Sequence, residues 1–357
     1  MEKDELYYLC IEILKKLINV PRFSREEKEA ADTLESFVKE YCNGFSRIER
    51  IGNNLILRTL DYSPSKATIL LNSHIDTVRP SSGWETNPFD PIYDPETDRL
   101  YGLGSNDAGA SLVSLLGTYL YYQEHKHCKY NLVFVASCEE EVSGKHGIES
   151  VLPSLNDVYF AIVGEPTDMN PAVAEKGLIV IDGEVKGKSG HAARDEGINA
   201  IYLTMPIISS LRSLKFPKES EWLGPVRINT TMIQAGTQHN VVPDRCSFVV
   251  DVRTTDTYTN SETFEIINRS TPDYCTLTPR SLRLNPSHIS LDNPVIQRLI
   301  MLGKEPFGSP TLSDQALMPW PSVKLGPGHS SRSHSANEYI ELKEIREALE
   351  IYINILS

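Results

Sequence analysis

The stretch Thr68-Ile69-Leu70-Leu71-Asn72-Ser73-His74-Ile75-Asp76 opens on an uninterrupted apolar run and closes on a histidine and an aspartate two residues apart. A short continuous apolar run is the pattern of a strand covered on both faces, as in a sheet with helices above and below. Two more runs repeat the design. Residues 131–136 lead into Glu139-Glu140-Glu141, and residues 158–163 lead into Glu165. Between the first run and the second, Leu112, Leu115, Leu116 and Tyr119 recur at helical spacing. This alternation predicts an α/β sheet, with acidic residues repeatedly at the carboxyl ends of its strands, where open α/β sheets place their sites.

Upstream, Leu6, Leu9, Ile13 and Leu17 predict a first helix. Ser24 with Glu27 reads as a capping box before a second helix carrying Ala30, Leu34, Phe37 and Tyr41. Residues 54–58 alternate like a half-exposed strand. Residues 94–98 read as a turn between short strands, and Gly102-Leu103-Gly104-Ser105-Asn106 leads to Asp107 at a helix entry. From about Pro171 the rhythm becomes strand (178–185), helix (199–214), strand (226–232), strand (246–253), helix (261–267), strand (275–284), a β-α-β-β-α-β unit of ferredoxin-like type. Pro206 predicts a kink or a late start in the first of these helices. After Asn285 the α/β pattern resumes, with a helix at 294–302, a strand before Gly326 and a last helix from about Lys343 to Leu356. The expected fold is therefore an α/β domain with a mixed central sheet, formed by 1–170 and 285–357, into which an α+β domain of 171–284 is inserted.

At 357 residues, with 40% hydrophobic and 23% charged residues, the chain is long enough for two compact units with substantial cores. A formal charge of −13 argues against nucleic acid or an anionic membrane as partner, because both demand clustered Lys and Arg. A small-molecule substrate is expected instead. Met1-Glu2-Lys3-Asp4 leads straight into an amphipathic helix without an apolar signal core, and no segment approaches the ~20 apolar residues of a membrane span, so a cytoplasmic protein is expected. The six cysteines lie far apart without a Cys-x-x-Cys pair, which predicts buried reduced thiols.

Each candidate site residue has two readings. His74 can bind a metal while Asp76 turns back to the other ring nitrogen, a relay that raises ligand basicity; a lone His-x-Asp is more often a satisfied polar pair at a strand end. Asp107 can bridge two cations through its two oxygens, or simply cap the following helix. In the run Glu139-Glu140-Glu141 one carboxylate can ligate metal while its neighbour serves as general base, or the three form a solvated acidic loop. Glu165 can complete a set with His74, and His334 a set with a glutamate of the run.

Taken in order, Ser73–Val78, Gly102–Asp107, Glu139–Gly144, Val163–Pro166, Gly190-His191, Asn240–Asp244 with Asp251–Arg253, and Gly326–Gly328 with His334–Glu338 resemble the dizinc aminoacylase and carboxypeptidase family, the M20-type metallohydrolases. The resemblance runs from the first helix to the last. It implies two divalent ions, zinc by default with cobalt or manganese admitted by the same donors. One ion falls to His74, Glu165 and bridging Asp107, the other to Glu141, His334 and Asp107, with Glu140 as general base and a cis peptide after Asp107. It implies that the inserted domain acts as lid and dimerisation domain in a homodimer, His191 reaching the partner's site to stabilise an oxyanion with help from Asn240. It also implies that Arg253 takes the substrate's α-carboxylate. Length and the Gly-Leu-Gly-Ser approach look most like the acetylornithine deacetylases of arginine biosynthesis, which implies N-acetyl-L-ornithine as substrate. The alternatives are a succinylated ornithine or diaminopimelate, a dipeptide, or a binding protein that retains the fold. In place of the Asp-x-Lys-Gly common in the family, Asp107 is followed by Ala108-Gly109-Ala110; no ligand is lost.

Overall fold

A computed structural model describes residues 2–42, 44–125, 128–194 and 196–357; His127, to which the sequence assigns no role, lies outside them. Two compact units divide the chain: Met1–Val173 with His288–Phe307 and Ser313–Ser357, and Ala174–Ser287 with Gly308–Leu312. The segment Gly308–Leu312 groups with the second unit, whereas the sequence places it in the first. Its backbone lies against Trp222, so that a Cβ on Gly308 would stand 2.2 Å from the Trp222 carbonyl oxygen.

The first unit begins with α1 (Lys3–Ile18) and α2 (Lys28–Tyr41), followed by β1 (Ser46–Ile51), β2 (Asn54–Thr59) and β3 (Thr68–His74). A side hairpin, β4 (Ile92–Asp94) and β5 (Arg99–Tyr101), precedes α3 (Ala110–Glu124), β6 (Asn131–Ser137), α4 (Ile148–Val151), β7 (Val158–Val163) and β8 (Ala172–Glu175). The second unit contains β9 (Gly177–Lys186), α5 (Ala200–Ser213), β10 (Arg227–Ala235), β11 (Arg245–Thr254), α6 (Asn260–Arg269) and β12 (Cys275–Pro279). The chain closes with β13 (Ser287–His288), α7 (Pro294–Met301), β14 (Phe307–Ser309), β15 (Ser322–Lys324), β16 (Tyr339–Glu341) and α8 (Leu342–Leu356).

The central sheet runs β1-β2-β6-β3-β7-β15-β8-β13, with β14 paired to β8. It is mixed: β6, β3, β7 and β15 are parallel, while β1, β2 and β8 join antiparallel. Every residue of β3 and β6 is buried, as continuous apolar runs require when both faces are covered. On one face α3 packs against α1 and α8, and its Leu112, Val113, Leu115 and Leu116 are almost fully buried. The other face gathers Ile56, Leu70, Val133, Val135 and Val163 around Ile148 and Val151 of α4. Among the described residues no helix is long and apolar enough to cross a membrane, and all six cysteines are buried and free.

In the second unit the antiparallel order β10-β11-β9-β12 is the ferredoxin-like arrangement, with Ile179, Ile181, Val250 and Val252 buried against Ile207, Leu211 and Ile267 of α5 and α6. One expected boundary fails locally, and of the kink or late start expected at Pro206 the late start is absent. The last strand ends at Pro279, not at 284. The helix α5 runs through Pro206 without a late start, because Pro206 and Tyr202, whose carbonyl loses its intrahelical partner, lie on the exposed side. Two further corrections concern the first unit. Four of the six residues of β2 are buried, so it is an interior strand and not a half-exposed one. The Ser24-Glu27 capping box is absent: Glu27 itself occupies the N-cap of α2, and the Ser24 hydroxyl donates to Asp76 Oδ2 at 2.7 Å.

Candidate metal centre

Parallel β3, β6 and β7 end side by side, and each delivers a polar side chain at its carboxyl end. His74 is the last residue of β3. The glutamate run follows β6, with Glu139 and Ser143 in left-handed conformation on either side of the short turn Glu140–Val142. Glu165 follows β7. His334, itself at φ 58°, comes from the loop beyond β15. Several non-glycine residues held at positive φ in one region are the kind of strain that functional sites retain.

Two clusters result. Ligand atoms of His74, Asp107 and Glu165 lie within 4.8 Å of one another, and so do those of Asp107, Glu141 and His334. Asp107 belongs to both. Its Oδ1 is 3.3 Å from His74 Nε2 and its Oδ2 is 3.6 Å from His334 Nε2. Glu165 Oε1 lies 3.7 Å from His74 Nε2, and Glu141 Oε2 lies 3.0 Å from His334 Nε2. Glu140 is in neither cluster, although its Oε2 approaches His74 Nε2 to 4.0 Å.

The relay behind His74 differs from the one the sequence suggests. His74 Nδ1 is 2.9 Å from the main-chain carbonyl of Asp76 and 3.6 Å from its carboxylate. The carboxylate instead accepts the Glu140 and Glu141 N–H groups at 3.1 and 3.2 Å, together with the Ser24 hydroxyl. Asp76 thus fixes the imidazole through its backbone and the glutamate turn through its side chain.

The donor set suits divalent cations. Three carboxylates meet two imidazoles, all donors are nitrogen or oxygen, and the acids are largely desolvated. Burial, partly relieved by His74 and reinforced by Asp107, pushes Glu165 up to about 8. Burial, then the charges of Glu165, Asp314 and Glu141 acting against His74, holds Glu140 well above the usual carboxylate range. Burial acts to raise Asp107 as well, but hydrogen bonding and charge from His74 hold it below its ordinary value. For His74, burial opposes the charged ring, yet Asp107 and Asp76 raise it well above an ordinary histidine. So many carboxylates in low dielectric repel one another unless cations compensate them.

Three groups to which the sequence assigns no role support this centre. Glu338, 2% exposed, accepts the N–H groups of Gly104 at 2.9 Å, Asn106 at 2.9 Å and Asp107 at 2.8 Å. The same loop is held from the other side by buried Arg22, whose Nη2 donates to the Gly104 carbonyl at 3.0 Å. Gly104 sits at φ 72°, and a Cβ there would stand 2.4 Å from that guanidinium, so only glycine fits. Asp314, also buried, accepts the Ser137 hydroxyl at 2.5 Å behind Glu140. Glu338 ends the His334–Glu338 motif, but a lone acid carries no sequence signal that it binds backbone. Glu338→Gln keeps one acceptor oxygen and turns an NH2 group toward at least one of these N–H donors. The expected result is a metal dissociation constant weakened about 10–100-fold in a folded protein, read by titration calorimetry; wild-type affinity would refute the positioning role.

His191, Asn240 and Arg253 all lie in the second unit. There the Lys188–His191 segment pairs with the segment after Asn240: Val242 N–H donates to Gly190 O at 2.9 Å and Ala192 N–H to Asn240 O at 3.0 Å. His191 and Asn240 are both exposed. Arg253 binds Asp251 in a two-point contact at 2.9 and 3.2 Å.

Known proteins share this framework. A peptidase M20 domain-containing protein of Schizosaccharomyces pombe is 27% identical over 354 residues, covering 96% of this chain and 82% of its own. The acetylornithine deacetylase of Photorhabdus laumondii is 24% identical over 363 residues, 94% of this chain and 93% of that one. The crystal structure of the Bacillus subtilis YXEP protein, described as a dinuclear metal binding peptidase, superposes with a TM-score of 0.75 at 18% identity over 99% of both chains, which shows a common fold. The sequence pattern of Peptidase family M20/M25/M40 matches residues 70–357, a span that holds both ligand clusters and the inserted unit, and the chain belongs to that family.

Proposed function

We propose that this metallohydrolase removes the acyl group from an N-acylated amino acid by amide hydrolysis. The observation that carries the reading is the division of labour within the glutamate run: Glu141 joins a ligand cluster, whereas Glu140 stands outside both clusters, buried beside His74. His74, Glu165 and Asp107 would hold one cation, and Glu141, His334 and Asp107 the other, with zinc the first choice and cobalt or manganese compatible. Bound divalent ions supply Lewis-acid polarisation of the acyl carbonyl and acidify the attacking water.

The chain's own groups do the rest. Glu140 removes the proton of the attacking water; burial raises its proton affinity, which lets it hold that proton and return it to the leaving amine. Asp76 keeps Glu140 and Glu141 in register through their N–H groups. His191 and Asn240 would donate to the developing oxyanion. Arg253 would fork onto the α-carboxylate. In this reading a second copy of the chain supplies His191, giving a homodimer through the inserted unit. Its edge strand β10 and helix α5 expose Met232, Ile233, Tyr202 and Met205, in keeping with such a contact.

N-acetyl-L-ornithine is the first substrate to test, since the resemblance and the similarity to the Photorhabdus laumondii acetylornithine deacetylase both support it. Succinylated ornithine or diaminopimelate comes second. Metal-reconstituted protein assayed on acetyl and succinyl derivatives of ornithine, citrulline, lysine and diaminopimelate decides. Turnover of at least one supports the reading, and metal binding without turnover of any would replace it with a binding or scaffold role. Chelation should abolish turnover and lower the melting temperature. At a metal concentration a hundredfold above Kd the bound ions contribute about 2.7 kcal/mol per site. An unchanged melting curve after metal removal would contradict the assignment.

A further inference from the structure

Packing does little to hold His334. Its side chain is 54% exposed, whereas that of His74, at the end of a covered strand, is 1% exposed. His334 also sits at φ 58°, and Asn337, three residues on, at φ 57°. Left-handed backbone in a residue other than glycine is unfavourable and persists only where the surroundings over-determine it. Two anchors hold the loop between β15 and β16. The far one is β16 itself, where Tyr339 pairs with Tyr101 and the preceding Glu338 binds the Asp107 loop.

The near one is Arg332, two residues before His334. Its Nη1 donates to Glu344 Oε2 at 2.7 Å, and its guanidinium lies over the Tyr339 ring, 4.5 Å from the centroid. Arg99 lies over the same ring at 4.2 Å. Ser335, just after His334, donates its hydroxyl to the Arg332 carbonyl at 2.7 Å, which ties the two flanks of the ligand together. Glu344 is itself fixed: it is the third residue of α8 and accepts the Glu341 N–H at 2.9 Å in a capping box. Exposed ion pairs contribute little, but the side chains of this one are 17% and 12% exposed and it adjoins a stacked ring. The start of α8 thus grips the loop through one carboxylate.

We propose that Arg332 is a positioning residue: locked onto Glu344 and Tyr339, it holds His334 in the conformation that binds the second cation and so sets the affinity of that site alone. This rests on the reading of Asp107, Glu141 and His334 as that cation's ligands. The first cation depends on His74, Glu165 and Asp107, which come from other segments of the chain.

Zinc is titrated by calorimetry into the metal-free chain. Arg332→Gln and Glu344→Gln should each weaken the second site by about 10–100-fold and leave the first unchanged. Glutamine still serves a capping box, so Glu344→Gln leaves α8 its start and tests the idea even if Arg332→Gln fails to fold. One substitution removes a positive charge and the other a negative one. A long-range charge effect would therefore shift zinc affinity in opposite directions, and that result, like unchanged affinity or an equal loss at both sites, overturns the proposal. The double variant should bind no more weakly than the worse single one, because both cut the same contact; additive losses also overturn it. Hydrogen exchange on the metal-free chain separates this role from the ligand assignment. Residues 329–338 should exchange faster in both variants. Unchanged exchange in a chain whose wild type binds two ions overturns the role of Arg332 alone. A wild type that binds one ion, undisturbed by His334→Ala, overturns the ligand assignment and this role with it.

Discussion

Glu140→Ala is expected to keep its metal and lose about 10³-fold in kcat, within the range that a positioned general base contributes. Glu140 donates to neither ligand cluster, so its removal leaves both sets of donors in place. Its carboxylate is 12% exposed, lies 4.0 Å from His74 Nε2, and is raised by burial and by neighbouring acids into a range where it accepts a proton from water and can later give it up. Glu141→Ala should behave in the opposite way. Its Oε2 is 3.0 Å from His334 Nε2, so its loss empties one cation site. Metal analysis beside single-turnover kinetics on both variants separates the two. If Glu140→Ala loses metal while Glu141→Ala keeps it, the roles in the run are shifted by one residue. If Glu140→Ala turns over like wild type, the base lies elsewhere.

The sequence exposes the chemistry of this centre better than its scaffolding, and the reason is physical. Strands β3, β6 and β7 are covered on both faces, so their apolar runs are continuous and their ends, with the acids that follow, can be read directly. Strand β2 is just as interior, yet it reads as half exposed because it starts with Asn54. That side chain is fully buried, donating to the Ile51 and His146 carbonyls and accepting the Cys138 N–H. A satisfied buried amide and a solvated one look alike in sequence. Ser24 and Glu27 have the spacing of a capping box, but Asp76, 52 residues away, takes the hydroxyl, and the Glu27 carboxylate accepts the Arg25 and Glu139 N–H groups. Glu338, Arg22 and Asp314 escape notice for the same reason. Each acts on groups distant in the chain, and nothing in its immediate neighbours records that partner.

Asp107 separates the metal-centre reading from its plainest structural alternative, since an aspartate just before a helix is the commonest of caps. In this protein α3 begins at Ala110 after an N-cap at Gly109, and no side chain caps it. The Asp107 oxygens turn the other way, Oδ1 toward His74 and Oδ2 toward His334. Asp107→Ala therefore deletes a donor from both clusters at once. The expected outcome is metal content falling from about two ions per chain to below one, with kcat reduced by about 10³-fold or more as the Lewis-acid contribution is lost. His334→Ala should lose one ion and retain the other, because His74, Asp107 and Glu165 remain together. A helix cap would behave differently: its loss costs about 1 kcal/mol of stability and leaves metal content untouched. Metal stoichiometry and melting temperature of Asp107→Ala, measured on the same preparation, choose between the two. Two ions still bound alongside a small drop in stability would return Asp107 to the role of a cap. That result would also undo the bridge on which the dinuclear reading depends.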